Sequence, residues 1–283
     1  MTCGVLLYAN NNEKIDYVKQ ALWSAQHIKQ HLGCSVAVAT DSYDYLKSFT
    51  DHKTLIDHII ELDNTATIDQ TKKYRDGTMA NHRLTWKNTH RHKSYDITPF
   101  DQTIVLDTDV IISNDLYKNC WNQPEDFLID QHPIDLHPNR QDETFTRISD
   151  KSIDFYWATA FYFRKTDFTR MLFDMIAHVQ DNWTYYRTMY QISQSKLRND
   201  FVFSIAIHIL NGFKYNSDWP KSMPSHMFFI TDNDILYDYN NNKFTVMLDK
   251  ITHPGEYTIN TVEDINLHVM NKFSLDRIVQ KNV

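Results

Sequence analysis

Two aspartates, two residues apart, break an otherwise apolar stretch from Thr103 to Ser113 (TIVLDTDVIIS), and this constrains the folding of the chain more than any other feature. Val105 and Leu106 precede Asp107, and Val110, Ile111 and Ile112 follow Asp109, so the segment reads as a buried strand that carries two carboxylates. Unpaired charge in such a place is costly. In an extended strand residues i and i+2 point to one side, which lets Asp107 and Asp109 converge on a single cation. Hard divalent ions such as Mg2+ or Mn2+ take oxygen ligands and keep positions open for substrate phosphates. A polar turn at a strand end is the alternative that requires no metal.

The segments before this acid pair alternate between strand and helix patterns, the signature of an α/β fold with a mainly parallel sheet. Cys3 to Ala9 reads as a buried strand, and Glu13 to Leu32 runs at helical period with Ile15, Val18, Leu22, Ala25 and Ile28 on one face and Gly33 at its end. A second strand follows at Ser35 to Thr40, then a polar helical stretch from Tyr43, an apolar run at His58 to Leu62, and a helix expected from about Thr78 to His92. Beyond Asp115, Phe127 to Ile129 and Phe155 to Phe163 read as strands, and Phe168 to Val179 and Asp200 to Leu210 as helices. The tail from Met227 ends in an apolar-polar stretch at Ile265 to Phe273. No repeat, linker or low-complexity block divides the chain, so residues 1–283 read as one domain.

Composition removes several function classes. The 5 glycines, Gly4, Gly33, Gly77, Gly212 and Gly255, are too dispersed to build a Walker loop or a G-x-G-x-x-G turn, so any bound phosphate must be held by side chains and a metal. A net charge of −7 gives no global field for nucleic acid or anionic membrane. The only dense basic cluster is Arg83, Lys87, Arg91 and Lys93. Apolar runs such as Phe201 to Leu210 fall short of the roughly 20 residues of a membrane span, and no basic n-region precedes the first strand. Cys3, Cys34 and Cys120 form no C-x-x-C pair and leave one unmatched. A cytoplasmic protein is expected, in the host cytoplasm if the chain is viral.

The order of elements and motifs resembles the glycosyltransferases of the type A fold, and family 8 in particular. Asp107-Thr108-Asp109 after an apolar strand is similar to that fold's D-x-D motif. Upstream, Met79-Ala80-Asn81-His82-Arg83-Leu84, Ile97-Thr98-Pro99-Phe100 and Ile104-Val105-Leu106 are similar to the family's arginine-bearing helix, Leu-Pro turn and metal strand. Downstream, Leu267-His268-Val269-Met270-Asn271-Lys272 matches its H-x-x-x-K element, without the family's intervening glycine or its following Pro-Trp.

The resemblance implies a single nucleotide-diphospho-sugar transferase domain, with a mainly parallel central sheet flanked by helices. Residues 1–113 would form the donor half, and 114–283 the acceptor half with a C-terminal metal and phosphate element. It implies Mn2+ or Mg2+ held by Asp107, Asp109 and His268, with His253 as the competing histidine. A nucleoside diphosphate sugar would be the donor, with Arg83 and Lys272 on its phosphates or Arg83 bracing the metal carboxylates.

Leu197 to Phe203 (LRNDFVF) is similar to the aspartate that opens a helix beside the sugar site. Asp200 would then orient the acceptor or the sugar, or act as general base; as a helix N-cap it would need no such role. Trp157 to Ala160 takes the place of the acceptor-side strand. Asn10 and Asp41, at the ends of the first two strands, fall where open sheets bind nucleotides, and turn chemistry alone would also put them there. The acceptor stays open between carbohydrate, protein and a modified DNA base.

Two rival readings follow from the same residues. A haloacid-dehalogenase-like phosphatase would use Asp107 as nucleophile and Asp109 as general acid, with Ser149-Asp150 and Asp154 as its distal metal pair. A non-catalytic sugar- or nucleotide-binding module would use the aromatic side chains for stacking.

Overall fold

The structure, a computed structural model, describes residues 1–63, 70–75, 81–87, 89–140, 146–149, 153–214 and 218–282. The chain begins with β1 (Cys3–Ala9), whose residues from Gly4 onward are all buried because the strand lies in the interior of a sheet covered on both faces. The following helix α1 (Tyr17–His31) starts four residues later than its periodicity predicts. Side chains take up the intervening backbone: Asn12 accepts from the N–H groups of Lys14 and Ile15, Asn11 from Val18, and Asp16 caps the helix by accepting from Lys19. Gly33, at φ +63°, ends it as expected.

β2 (Ser35–Thr40), α2 (Tyr43–Lys47), α3 (His52–Leu55) and β3 (His58–Glu61) complete the outward half of the sheet. The chain then leaves the sheet for an antiparallel hairpin, β4 (Gln70–Arg75) and β5 (Asn81–Trp86), which corrects the helix expected from Thr78 to His92. Tyr74 and Leu84 alternate inward to pack with Ile15, and β4, whose sequence QTKKYR carries no strand signal, supplies the hydrogen-bonding partner. Met79 and Ala80, part of the motif matched upstream, lie outside the described residues. A short 3-10 turn, Arg91–Lys93, and α4 (Ser94–Ile97) lead back to the sheet.

β6 (Gln102–Asp107) re-enters beside β1 on the side away from β2. The chain crosses at once to β7 (Val110–Ile111), a strand of a second sheet, then continues through β8 (Phe127–Asp130), β9 (Ile134–Asp135) and β10 (Trp157–Arg164). The main sheet has the order β3-β2-β1-β6-β10-β8, with β10 antiparallel to both its neighbours and the other strands running one way. Helices α5 (Asp167–Asp181), α6 (Trp183–Met189) and α7 (Asn199–Leu210) follow, and α7 packs on β10 while α1 packs on β1 and β2. The expected α/β architecture, a mainly parallel central sheet flanked by helices, is what the chain forms.

The tail holds more strand than its composition suggests. β11 (Met227–Ile230) joins the second sheet, and β12 (Ile235–Asn240), β13 (Lys243–Asp249) and β14 (Tyr257–Glu263) make a separate antiparallel sheet. β15 (Asn266–Val269) then runs between β7 and β11, and α8 (Lys272–Asn282) ends the described chain. Among the described residues no helix is long and apolar enough to cross a membrane.

Candidate functional site

The strand order reverses between β1 and β6: one connection leaves β1 toward β2, and the chain later returns to β1's other side. Crevices outside the carboxyl ends of strands at such a reversal are where open sheets bind ligands. A cleft of about 510 Å³ opens there, lined by Tyr8 near the end of β1 and Asn10 just after it, Asp107 at the end of β6, and Trp157 to Thr159 from β10. The β4–β5 hairpin and residues 194–200 wall its outer side.

Asp107 is the last residue of β6, but Asp109 is not on that strand. It sits in the turn where the chain changes sheets, which corrects the expectation of an i, i+2 pair on one continuous strand. The two carboxylates nevertheless converge. His268 is delivered by β15, which pairs with β7 in the register His268 to Val110, while the Val269 N–H donates to the Asp109 carbonyl at 3.0 Å. Ligand atoms of Asp107, Asp109 and His268 thereby lie within 4.8 Å of one another.

The chemistry of these groups fits a divalent cation. Burial pushes the His268 imidazole down to about 3, so the ring is neutral at physiological pH and keeps a nitrogen lone pair for a metal. Its Nε2 lies 3.3 Å from Asp109 Oδ2, and the buried Asp109 Oδ1 has no hydrogen-bond partner. Two carboxylates and an imidazole suit Mn2+ better than Mg2+, and three protein ligands leave coordination positions for phosphate oxygens. His253 lies in the exposed turn between β13 and β14, outside this cluster.

Two buried cations press on the acid pair. Lys272, at the start of α8, forms an ion pair with Asp109 and donates to the Val269 carbonyl at 3.2 Å; burial holds its ammonium well below the ordinary lysine range. Arg91, only 1% exposed, forms an ion pair with Asp107 and donates to the Ala158 carbonyl. Burial lowers it to about 10, which leaves it charged at neutral pH. The Tyr8 hydroxyl donates to the His90 carbonyl at 3.2 Å and so fixes the 3-10 turn that carries Arg91.

Arg91 therefore stands where the sequence pointed to Arg83. Arg83 is on β5, its Nε donating to Thr71 Oγ1, and it lines the outer cleft without an ion pair to either aspartate. The basic cluster of residues 83–93 was the one signal in the sequence that included Arg91.

Asp200 lines the cleft as the second residue of α7, not as its cap, which is Arg198. Its Oδ1 accepts from the Ala158 N–H at 3.1 Å, and its Oδ2 from Arg198 at 2.7 and 3.2 Å. Asn10 lines the cleft and accepts from the Asp41 N–H at 3.3 Å. The Asp41 carboxylate is buried and bound to Lys87 at 2.8 Å, so Lys87 rather than Asp41 reaches the cleft. Asp154 lies apart from Asp107, in a small pocket with His208, and Asp150, the other half of a dehalogenase-like phosphatase's distal pair, is outside the described residues. Lys72, Lys73, Lys196 and Arg198 also line the cleft, and no local motif announced them.

No protein-family model matches the chain, and no curated protein matches it. Among solved structures it is similar to an active-site mutant of LgtC, with a TM-score of 0.46 and 14% identity over 71% of this chain and 69% of that one. It is also similar to the galactosyltransferase LgtC in complex with donor and acceptor sugar analogues, with a TM-score of 0.43 and 13% identity over 71% of this chain and 70% of that one. The glycosyltransferase GlyE of Streptococcus pneumoniae TIGR4 matches with a TM-score of 0.39 and 8% identity over 76% of this chain, which spans 44% of GlyE. At these scores and identities the likenesses assign neither family nor activity.

Proposed function

We propose that this chain is a metal-dependent glycosyltransferase of the type A class, similar to family 8, which moves a sugar from a nucleoside diphosphate donor to an acceptor hydroxyl. The convergence of Asp107, Asp109 and His268 at the reversal of strand order, inside a cleft with cationic walls, carries this reading. Held by those three side chains, a divalent ion, with Mn2+ favoured by the imidazole, supplies charge neutralisation for the departing diphosphate. In this reading residues 1–113 form the donor half of one domain and 114–283 the acceptor half, whose C-terminal His268 and Lys272 return to the acid pair.

Transfer breaks the bond between the sugar's anomeric carbon and the β-phosphate oxygen, which leaves with the electron pair. A bond to the acceptor oxygen forms, and the proton of the acceptor hydroxyl passes to the departing diphosphate oxygen. Arg91 and Lys272 hold fixed positive charge beside the site where negative charge accumulates, an arrangement that stabilises the leaving group without reorganisation. Asn10 and the Lys87–Asp41 pair, at the ends of β1 and β2, sit where the nucleoside would lie. Both Asp200 oxygens are already engaged, which favours orientation of a sugar hydroxyl over proton abstraction.

Release of nucleoside diphosphate from UDP-glucose, UDP-galactose, UDP-N-acetylglucosamine and GDP-mannose, followed with Mn2+ and with EDTA, tests the reading. At least one donor should be hydrolysed slowly in Mn2+ and not in EDTA, and Asp109→Asn should lower that rate by roughly 100-fold or more. If all four stay intact, or if release persists in EDTA, the assignment is wrong.

A further inference from the structure

The cleft holds more positive charge than a donor can use. Eight Lys or Arg side chains line it against four Asp. Four of these cations are already ion-paired: Lys87 with Asp41, Arg91 with Asp107, Arg198 with Asp200 and Lys272 with Asp109. The other four, Lys72, Lys73, Arg83 and Lys196, form no ion pair among the described residues. On the reading above, Asp107, Asp109, a divalent ion, Arg91 and Lys272 together carry two positive charges, which match the two negative charges of a diphosphate diester. Against the second group stands Asp232, the fourth Asp of the cleft, so about three positive charges are left over.

Lys72, Lys73 and Arg83 all act on Lys196, although Lys72, opposite Leu84, is on the other face of the hairpin from Lys73 and Arg83. Lys73 and Arg83 face each other in the β4–β5 register, an arrangement of like charges that costs stability. The Gln70 side chain clasps Leu197, accepting from its N–H at 2.9 Å and donating to its carbonyl at 3.4 Å, and so fixes Lys196 against the hairpin. Burial first, and then Arg83, Lys72 and Lys73, push the Lys196 ammonium down. Gln194, Arg198 and Asp200 line the same cleft, and Asp200 reaches β10 by accepting from the Ala158 N–H.

We propose that the acceptor is an anionic saccharide, whose phosphate or carboxylate group is received by Lys72, Lys73, Arg83 and Lys196. The proposal rests on the glycosyltransferase reading, because that reading gives the cleft an acceptor: Lys196 lies in the acceptor half, two residues before the Arg198 that pairs with Asp200, and the hairpin cations of the donor half act on it. A saccharide is favoured over a polynucleotide because the four cations lie within the cleft of a protein whose net charge is −7.

Titration of glucose, glucose 6-phosphate and glucuronate into the protein with Mn2+ and UDP or GDP, followed by ligand-observed NMR, tests it and separates phosphate from carboxylate. One charged sugar should bind at least about tenfold more tightly than glucose, and the preference should shrink between about 50 and about 300 mM salt. Lys73→Gln combined with Lys196→Gln should bring the three sugars within about twofold, while Lys196→Arg keeps the preference. Equal affinity of the native protein for all three sugars, or a preference that survives in the double variant, overturns the proposal. So does a short single-stranded oligonucleotide that displaces glucose 6-phosphate at roughly tenfold lower concentration, since it would make the acceptor a polynucleotide. The Mn2+-dependent rise in melting temperature with UDP or GDP, measured on the same samples, reports the donor site separately. Its absence beside an intact sugar preference removes the acceptor role and leaves only an anion site.

Discussion

Replacing Arg91 by Met should destabilise the metal-free protein by about 3 kcal/mol, a value that follows from what the guanidinium touches. Arg91 is 1% exposed, pairs with Asp107 and donates to the Ala158 carbonyl. Removing one partner of a fully buried ion pair costs about 3–5 kcal/mol, because the other charge is left without compensation. The Asp107 side chain is 21% exposed, so water recovers part of that cost. Met retains most of the apolar volume of the arginine stem, which keeps the cavity contribution small.

For a chain of this length each kcal/mol moves the melting temperature by about 2–4 °C, so calorimetry in EDTA should show a fall of about 6–12 °C. A divalent ion on Asp107 would replace the missing positive charge, so the gap to the native protein should narrow in Mn2+. A fall of less than about 2 °C in EDTA would show that Arg91 does not stabilise the acid pair. A gap indifferent to Mn2+ would remove Asp107 from the metal ligands.

Three other substitutions probe the core and the titrating groups. Burial pushes Asp130 up to about 7 while its Oδ1 accepts from the Met223 N–H. Its contribution to stability is therefore full below about pH 4 and is lost as pH rises through 7. Asp130→Asn should gain on the order of 2–4 kcal/mol over the native protein at pH 8 and nothing at pH 4 by urea denaturation, and an equal effect at both rejects the account. His90 has the opposite sign: burial, aided by Lys93 and His92, lowers it to about 4, and neither ring nitrogen has a hydrogen-bond partner. Stability present above about pH 6.5 is lost as pH falls toward 4, so His90→Leu should flatten the melting temperature between pH 7 and pH 4.5, and an unchanged slope counts against it. A Cβ at Gly4 would overlap the Phe100 ring, so Gly4→Ala should cost about 1–3 kcal/mol in urea denaturation, and a neutral substitution would mean the ring is free to move.

Periodicity was enough to read β1, α1, β2 and β6, because each lies along one stretch of chain and shows its buried face in the spacing of its own apolar residues. The acid pair was legible for the same reason, since carboxylates inside an apolar run need a partner. Spacing failed where the partner was remote or polar. The QTKKYR segment became a strand only through pairing with β5, and that pairing turned the segment carrying Arg83 from a helix into an edge of the cleft. Arg91 reached Asp107 because a tight turn, held by the Tyr8 hydroxyl, ends beside β6.

His268 stood in the sequence as one of two candidate histidines, and only the two-residue pairing of β15 with β7 brought it to Asp109. The sequence by itself determined which residues are buried and where charge must be compensated. Which cations compensate it, and which four others lie in the cleft without an ion pair among the described residues, was decided by contacts between segments far apart along the chain, where spacing carries no information.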